Sequence, residues 1–157
     1  MKSVLAIALA SVAVPAIAQD APAPERDTSY HNAQALYLYG LSPADGWRQT
    51  ASGLRYRRVK GDGSGAHPSP TDTVTIHYTG RFIDGGVFDS SVERGEPATF
   101  PLPRLIKGWQ EGVPLMGVGD TYEFAIPWNL AYGAKGRGPI PGGATLLFTI
   151  ELIDLPQ

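Results

Sequence analysis

The chain has 157 residues, 43% of them hydrophobic and 18% charged, which suits one globular domain with a core of its own and some extra chain at its front. A net charge of −2, with Lys and Arg scattered singly apart from Arg57-Arg58, leaves no basic stripe to neutralise phosphates, so no nucleic-acid partner is expected. Cysteine is absent, which excludes disulfides, thiolate metal sites, a Cys nucleophile and lipid attachment to an N-terminal Cys.

The first element in chain order is a targeting segment. Residues 1–18 open with Met1-Lys2, run through an Ala-rich apolar stretch from Val4 to Val14, and close on Ala16-Ile17-Ala18. A positive start, a short apolar run and an A-x-A-like site form the layout of a secretory signal peptide cleaved after Ala18, and periplasmic export is the expectation. The apolar run falls short of the ~20 residues that span a bilayer, so no stable membrane anchor is expected.

Residues 19–51 read as a leader. Gln19 to Asp27 is Pro- and Ala-rich and extended or flexible in character. Tyr30 to Tyr39 can form a short helix, capped by Thr28 or Ser29 and ended at Gly40, although its apolar residues run together instead of forming a stripe. Ser42 to Gly46 then reads as a turn. A ~10-residue helix is marginal alone, so the mature chain is expected to be a monomer.

From residue 52 the texture is β-rich, with short apolar alternations between Gly and Pro. Leu54 to Lys60 is a strand, ended by the loop Gly61 to Gly65. In the next strand Val74, Ile76 and Tyr78 share one face and Thr73, Thr75, His77 and Thr79 the other. Asp84-Gly85-Gly86 signals a hairpin, with Val87-Phe88 as its return. Phe100 and Leu102 suggest an edge or bulged strand because Pro101 and Pro103 interrupt it. Between Leu105 and Met116 the spacing of Ile106, Trp109 and Val113 predicts a helix. After a turn at Gly117 to Asp120, Tyr122, Phe124 and Ile126 alternate in a strand. A Gly-rich loop from Trp128 to Gly143 leads to a last strand with Leu146, Phe148, Ile150 and Leu152. The order implies an α+β domain, an antiparallel sheet packing one short helix on its apolar face.

Five blocks in this order carry a family resemblance: Ile76-His77-Tyr78-Thr79-Gly80, Phe88-Asp89-Ser90-Ser91, Ile106 to Gly112, Leu130-Ala131-Tyr132-Gly133 and Ala144 to Phe148. Over residues 52–155 the chain resembles the FKBP-type peptidyl-prolyl cis-trans isomerases. The resemblance implies a half-barrel sheet wrapped around one short helix, forming an isomerase domain over residues 52–157. It implies a cleft with Trp109 as floor and Tyr78, Phe88, Ile106, Tyr132 and Phe148 as walls, with Phe100 on the deeper side and Leu105 and Ile140 at the rim. Asp89 would sit at the mouth beside Tyr78 and Arg94, and the Tyr132 hydroxyl would donate to a substrate carbonyl. Implied partners are proline-containing unfolded or folding polypeptides and macrolide inhibitors. The alternative on the same cleft is a peptide-binding chaperone module with little catalysis. Ala98 stands where well-studied members have a further aromatic, which thins one wall.

The chemistry of the residues agrees with these roles. Rotation about an X-Pro bond costs amide resonance and needs no proton transfer, so nucleophile, metal and cofactor are all dispensable. Asp89 is therefore read as a hydrogen-bond acceptor before a general acid, and Ser90 and Ser91 as turn or strand-end residues. His31, His67 and His77 show no metal-ligand spacing, and His77 falls on the polar face of its strand. Trp128 is read as packing, and Gly133 to Gly138 as a mobile loop over the cleft.

Overall fold

A computed structural model describes residues 27–156, so the expected signal peptide and the leader residues 19–26 lie outside the described residues. The elements follow in chain order: α1 (Thr28–Tyr39), β1 (Arg48–Gln49), β2 (Arg55–Lys60), β3 (Thr73–Arg81), β4 (Val87–Ser90), α2 (Ser91–Arg94), β5 (Ala98–Pro101), α3 (Lys107–Gly112), β6 (Thr121–Ile126), β7 (Gly136–Arg137), β8 (Ile140–Pro141) and β9 (Leu146–Asp154). Seven strands make one antiparallel sheet in the order β1-β2-β6-β9-β3-β4, and β5 pairs with the stretch of β3 that β4 leaves open. β7 and β8 form a separate hairpin.

Alternation decides which face is covered. Val74, Ile76 and Tyr78 of β3 and Leu146, Phe148, Ile150 and Leu152 of β9 are all buried, while the strand residues between them are half-buried or exposed. Phe124 and Ile126 of β6 continue the same face. Against it lies α3, which buries Trp109 and runs into a 3-10 turn that buries Val113.

The helix is shorter than its periodicity implies. The spacing predicted Leu105 to Met116, but Ile106 is the N-cap and Pro114 sits in the 3-10 turn Val113–Leu115. Proline has no N–H to continue the α-helical ladder, so the last turn tightens. Two glycines then seat what remains. A Cβ on Gly108 would stand 2.5 Å from Ile126 Cγ2, and one on Gly112 would stand 2.6 Å from Phe124 Cε1. Their four-residue spacing puts both on one helix face, so the backbone of α3 lies directly on the β6 side chains.

Other elements depart from expectation for local reasons. The cap of α1 is Asp27, whose carboxylate accepts from Tyr30 N at 3.0 Å, one position before the residues predicted for it. β2 starts at Arg55, and Leu102 leaves the predicted edge strand for a 3-10 turn that contains Pro103. The turn over residues 42–46 is a 3-10 turn ending on Gly46, with Ser42 as cap. Residues 133–143 fold back as the β7–β8 hairpin instead of an open loop, closed at its neck by Gly143 N donating to Gly133 O at 2.9 Å. α1 lies on the back of the sheet, where Tyr37, Leu41 and Trp47 face Glu123, Leu147 and Thr149 across a cavity of about 280 Å³.

Asp120 closes the end of the sheet nearest the Gly61 to Gly65 loop. It is buried and accepts from Gly63 N at 3.1 Å and Gly117 N at 3.0 Å. A buried carboxylate with two backbone donors is a satisfied structural group. Among the described residues no helix is long and apolar enough to cross a membrane.

Candidate active site

α3 delivers the Trp109 indole to the centre of the covered face, where it is 1% exposed. Three rings meet it edge-on: Tyr78 from β3 at 5.4 Å, Phe148 from β9 at 5.1 Å and Phe100 from β5 at 6.3 Å between centroids. Such T-shaped contacts set a positive ring edge against a negative face, each worth about 0.5–1.5 kcal/mol beyond area burial. Phe88 stands edge-on to Phe148 at 5.6 Å and is half-buried, so it carries the cluster outward to solvent. Trp109 Nε1 is buried and has no hydrogen-bond partner among the described residues, so one donor stays unspent in an otherwise apolar cluster.

Gly80 gives these rings their room. In β3 it pairs with Phe148 on one side and Asp89 on the other. A Cβ there would lie 2.6 Å from Phe88 Cζ and 2.8 Å from Phe148 Cε1. A glycine inside a strand marks close approach by another group, and here the group is the pair of rings.

Beside the rings a charged network is fixed by short-range geometry. Tyr78 Oη donates to Asp89 Oδ2 at 2.6 Å, Arg94 Nη2 donates to Tyr78 Oη at 2.9 Å, and Arg94 Nη1 donates to Asp89 Oδ1. The Arg94 guanidinium carbon also stands 5.6 Å from the Tyr78 ring centre. Arg94 reaches Asp89 because the chain coils into the single turn of α2 between them. Ser90 caps that turn through its hydroxyl to Glu93 N.

Ser91 holds the other end of the network. It is fully buried, accepts from Tyr78 N at 2.8 Å, donates to Tyr78 O at 3.3 Å, and stands 3.0 Å from His77 Nδ1. Both serines therefore shape backbone: Ser90 caps α2, and Ser91, although His77 is within reach, is fully buried and tied to the Tyr78 N–H and carbonyl, closed to any substrate. His77 is the locally hydrogen-bonded residue its strand face suggested.

The two tyrosines at the site, Tyr78 and Tyr132, hold their protons more tightly than a free phenol. Burial pushes the Tyr78 phenol well above its usual range, donation to Asp89 adds to this, and Arg94 opposes it. Burial likewise raises Tyr132, with Arg137 opposing and Asp89 adding. A phenol whose folded pKa is raised contributes stability that is fully present below its unfolded value near pH 10 and is lost as pH climbs toward the folded one. Thermal unfolding of the protein is therefore expected to show falling stability above pH 10, and Tyr78→Phe is expected to flatten that alkaline limb.

Trp109, Tyr78, Phe100 and Phe148 are in contact, Phe88 joins through Phe148, and Asp89 and Arg94 close on Tyr78. Ile106 and Tyr132 are half-buried against the same core cluster. Leu105 and Ile140, expected at the rim, are buried at 7% and 4% exposure, because the turn Leu102–Arg104 and the β8 strand fold them inward. Ala98 is half-buried opposite Ile76. Trp128, expected to pack, stands largely outside the core. It is 43% exposed in the 3-10 turn Trp128–Leu130, where Pro127 directs the chain off the end of β6.

Two neighbours escaped the sequence reading. Phe82 meets Phe88 at 4.9 Å between centroids with the rings tilted by 41°, because the bulge between the Gly80–Asp89 and Arg81–Val87 pairs leaves Phe88 unpaired beside it, and nothing local in the sequence signals that bulge. Gly80 is the other. Among the described residues no three His, Asp or Glu side chains come together as metal ligands.

The sequence profile of the family described as FKBP-type peptidyl-prolyl cis-trans isomerase matches residues 64–153. The chain is 52% identical over 121 residues to the FKBP-type peptidyl-prolyl cis-trans isomerase FkpA of Aeromonas hydrophila, covering 77% of this chain and 45% of the relative. It is 50% identical over 120 residues to an FKBP-type 22 kDa isomerase of Escherichia coli, covering 76% and 58%. Crystal structures of E. coli FkpA and of an isomerase from Pseudomonas syringae superpose with TM-scores of 0.78 and 0.75 at 38% and 32% identity, each covering 83% of this chain and, respectively, 62% and 97% of theirs. The chain thus spans about half the length of the curated relatives it matches. With its profile, its sheet wrapped on α3 and its ring-lined face all in agreement, the chain belongs to the FKBP-type peptidyl-prolyl cis-trans isomerase family.

Proposed function

We propose that this chain is a peptidyl-prolyl cis-trans isomerase acting on X-Pro bonds of unfolded or folding polypeptides. The observation that carries the reading is the cluster of edge-packed rings on Trp109 with the Asp89, Tyr78 and Arg94 network beside it. Twisting the imide breaks amide resonance at a barrier of roughly 18–20 kcal/mol, and no bond to carbon or hydrogen has to break. Water favours the charge-separated planar amide. Apolar walls withdraw that solvation and fit the twisted form, so the barrier falls through differential binding.

In this reading Trp109, Phe100, Ile106, Leu105 and Ile140 hold the proline side of the substrate, and Tyr78, Phe88 and Phe148 form the walls around the rotating bond. Asp89, held by Tyr78 and Arg94, supplies a fixed negative field at the mouth. Tyr132, protonated across the physiological range, donates to a substrate carbonyl. The same apolar cleft would accept macrolide inhibitors.

Export fits the reading. The positive start, apolar run and Ala16-Ile17-Ala18 site support cleavage after Ala18 and work on exported polypeptides in the periplasm, and one relative carries the name outer membrane protein MIP, from Legionella longbeachae. A mature chain beginning at Gln19 in mass spectrometry tests the cleavage. We take that mature chain to be a monomer.

A coupled assay of cis-trans conversion in short X-Pro peptides tests the function and ranks the residue before proline. Tyr132→Phe is expected to lower kcat/KM by about two- to tenfold, the worth of one hydrogen bond of ~0.5–1.5 kcal/mol. The half-buried Ala98 favours one competing reading, a thinner cleft that holds peptides without turning them over. No acceleration at concentrations where the protein holds a client would favour that reading.

A further inference from the structure

We infer that Gln34, on the helix that precedes the matched family segment, is a positioning residue for the cleft. The inference rests on the isomerase reading above. Gln34 is the buried residue of α1, at 7% exposure, and its Oε1 accepts from Thr145 N at 2.8 Å across 111 residues of sequence. α1 is otherwise a poor candidate for docking, because its apolar residues form no stripe and Leu36 and Tyr39 stand exposed. The Gln34–Thr145 bond is therefore the buried polar anchor of its docking.

The anchor lies at the neck of the hairpin that carries cleft residues. Gly143, two residues before Thr145, closes that neck by donating to Gly133 O at 2.9 Å, and Gly133 follows Tyr132 directly. His31, one turn before Gln34, covers Gly143 so closely that a Cβ there would meet His31 Cε1 at 2.8 Å. Gly143 has φ +73°, so a side chain is disfavoured there by backbone conformation as well. Ile140 sits inside the hairpin and Tyr132 at its entry, so the anchor on Thr145 and the lid on Gly143 set where both stand.

A hydrogen bond to a buried backbone donor is costly to lose, since the amide is left without a partner. Without Gln34, Thr145 N would turn toward water and the neck would loosen. The Tyr132 hydroxyl would then meet the substrate carbonyl less often in the twisted state, an effect on kcat more than on KM.

The test uses the full mature chain and two readouts, amide hydrogen exchange and the kcat and KM of the peptide assay. Gln34→Leu keeps the volume and removes the acceptor. It is expected to speed exchange at Thr145 by about three- to tenfold, with a spread to Gly143, and to lower kcat by a similar factor with KM little changed. Gln34→Glu keeps an acceptor oxygen and is expected to restore both. Unchanged exchange at Thr145, or faster exchange with unchanged kcat, would overturn the proposal. Should Gln34→Leu fail to fold, His31→Ala, which lifts the imidazole off Gly143 from the same face of α1, gives the same two readouts at Gly143, and no change in either would overturn it equally. A wild-type chain without turnover would fault the isomerase reading, and exchange at Thr145 and Gly143 would still decide whether α1 holds the hairpin.

Discussion

Replacing Trp109 with alanine is expected to lower unfolding free energy by about 3–5 kcal/mol, as for other buried aromatics, and to remove turnover from whatever remains folded. The indole is where β3, β5, β9 and α3 meet, with Tyr78, Phe100 and Phe148 all set edge-on against it. Small domains are stable by only about 5–15 kcal/mol, so the alanine variant would sit close to unfolding. Trp109→Leu separates the two effects. It restores much of the apolar volume and none of the ring contacts, so most of the stability is expected to return while kcat/KM stays down by about ten- to a hundredfold, equivalent to ~1.4–2.8 kcal/mol of transition-state stabilisation. Urea unfolding and the peptide assay on the same samples check this. Wild-type turnover in folded Trp109→Leu would mean that the floor has been misassigned.

Gly80→Ala is expected to leave a folded protein with a damaged cleft. The new methyl would lie within 3 Å of both Phe88 and Phe148, closer than real contacts allow. Phe148 is buried and cannot yield, whereas Phe88 is half-buried and can swing outward. The strain is therefore expected to be relieved at Phe88, at a stability cost of about 1–3 kcal/mol, the usual range for overpacking. Turnover is expected to fall more than tenfold, because a wall of the cleft has moved. Thermal unfolding paired with the peptide assay measures the split, and a large stability loss with unaltered kcat/KM would place Phe88 outside the working cleft.

Much of this fold is readable residue by residue because its signals are local. Val74, Ile76 and Tyr78, and again Leu146 through Leu152, alternate with the strand's own period, and burial follows that alternation position by position. The rings gather on Trp109 as the order of the five blocks implies, and Asp89 finds Tyr78 and Arg94. What escapes is set by groups far apart in sequence or by the lack of a side chain. Periodicity through Val113 hides the proline that tightens the end of α3, and the glycines at 108 and 112 look like weak helix residues until the sheet lies against them. Gly80 carries no side chain to attract notice, and its role depends on two rings from other strands. Trp128 resembles a core residue by type, yet the turn after Pro127 leaves it exposed. The docking of α1 shows in no apolar stripe because its one buried residue is an amide bonded 111 residues away, with Tyr37 and His31 only partly covered beside it.

In the proposed mechanism, apolar surroundings and fixed hydrogen-bond donors alone speed rotation about the imide bond. Magnetisation-exchange NMR on an X-Pro peptide with a catalytic amount of the mature chain addresses it most directly, since cis and trans signals are followed without any coupling enzyme. Exchange cross-peaks between the two isomers are expected at millisecond-to-second mixing times, with a rate unchanged in heavy water because no proton is transferred, and they are expected to vanish with Phe88→Ala. Peptide lines that broaden on binding without any cis-to-trans exchange, or a rate that drops severalfold in heavy water, would contradict it.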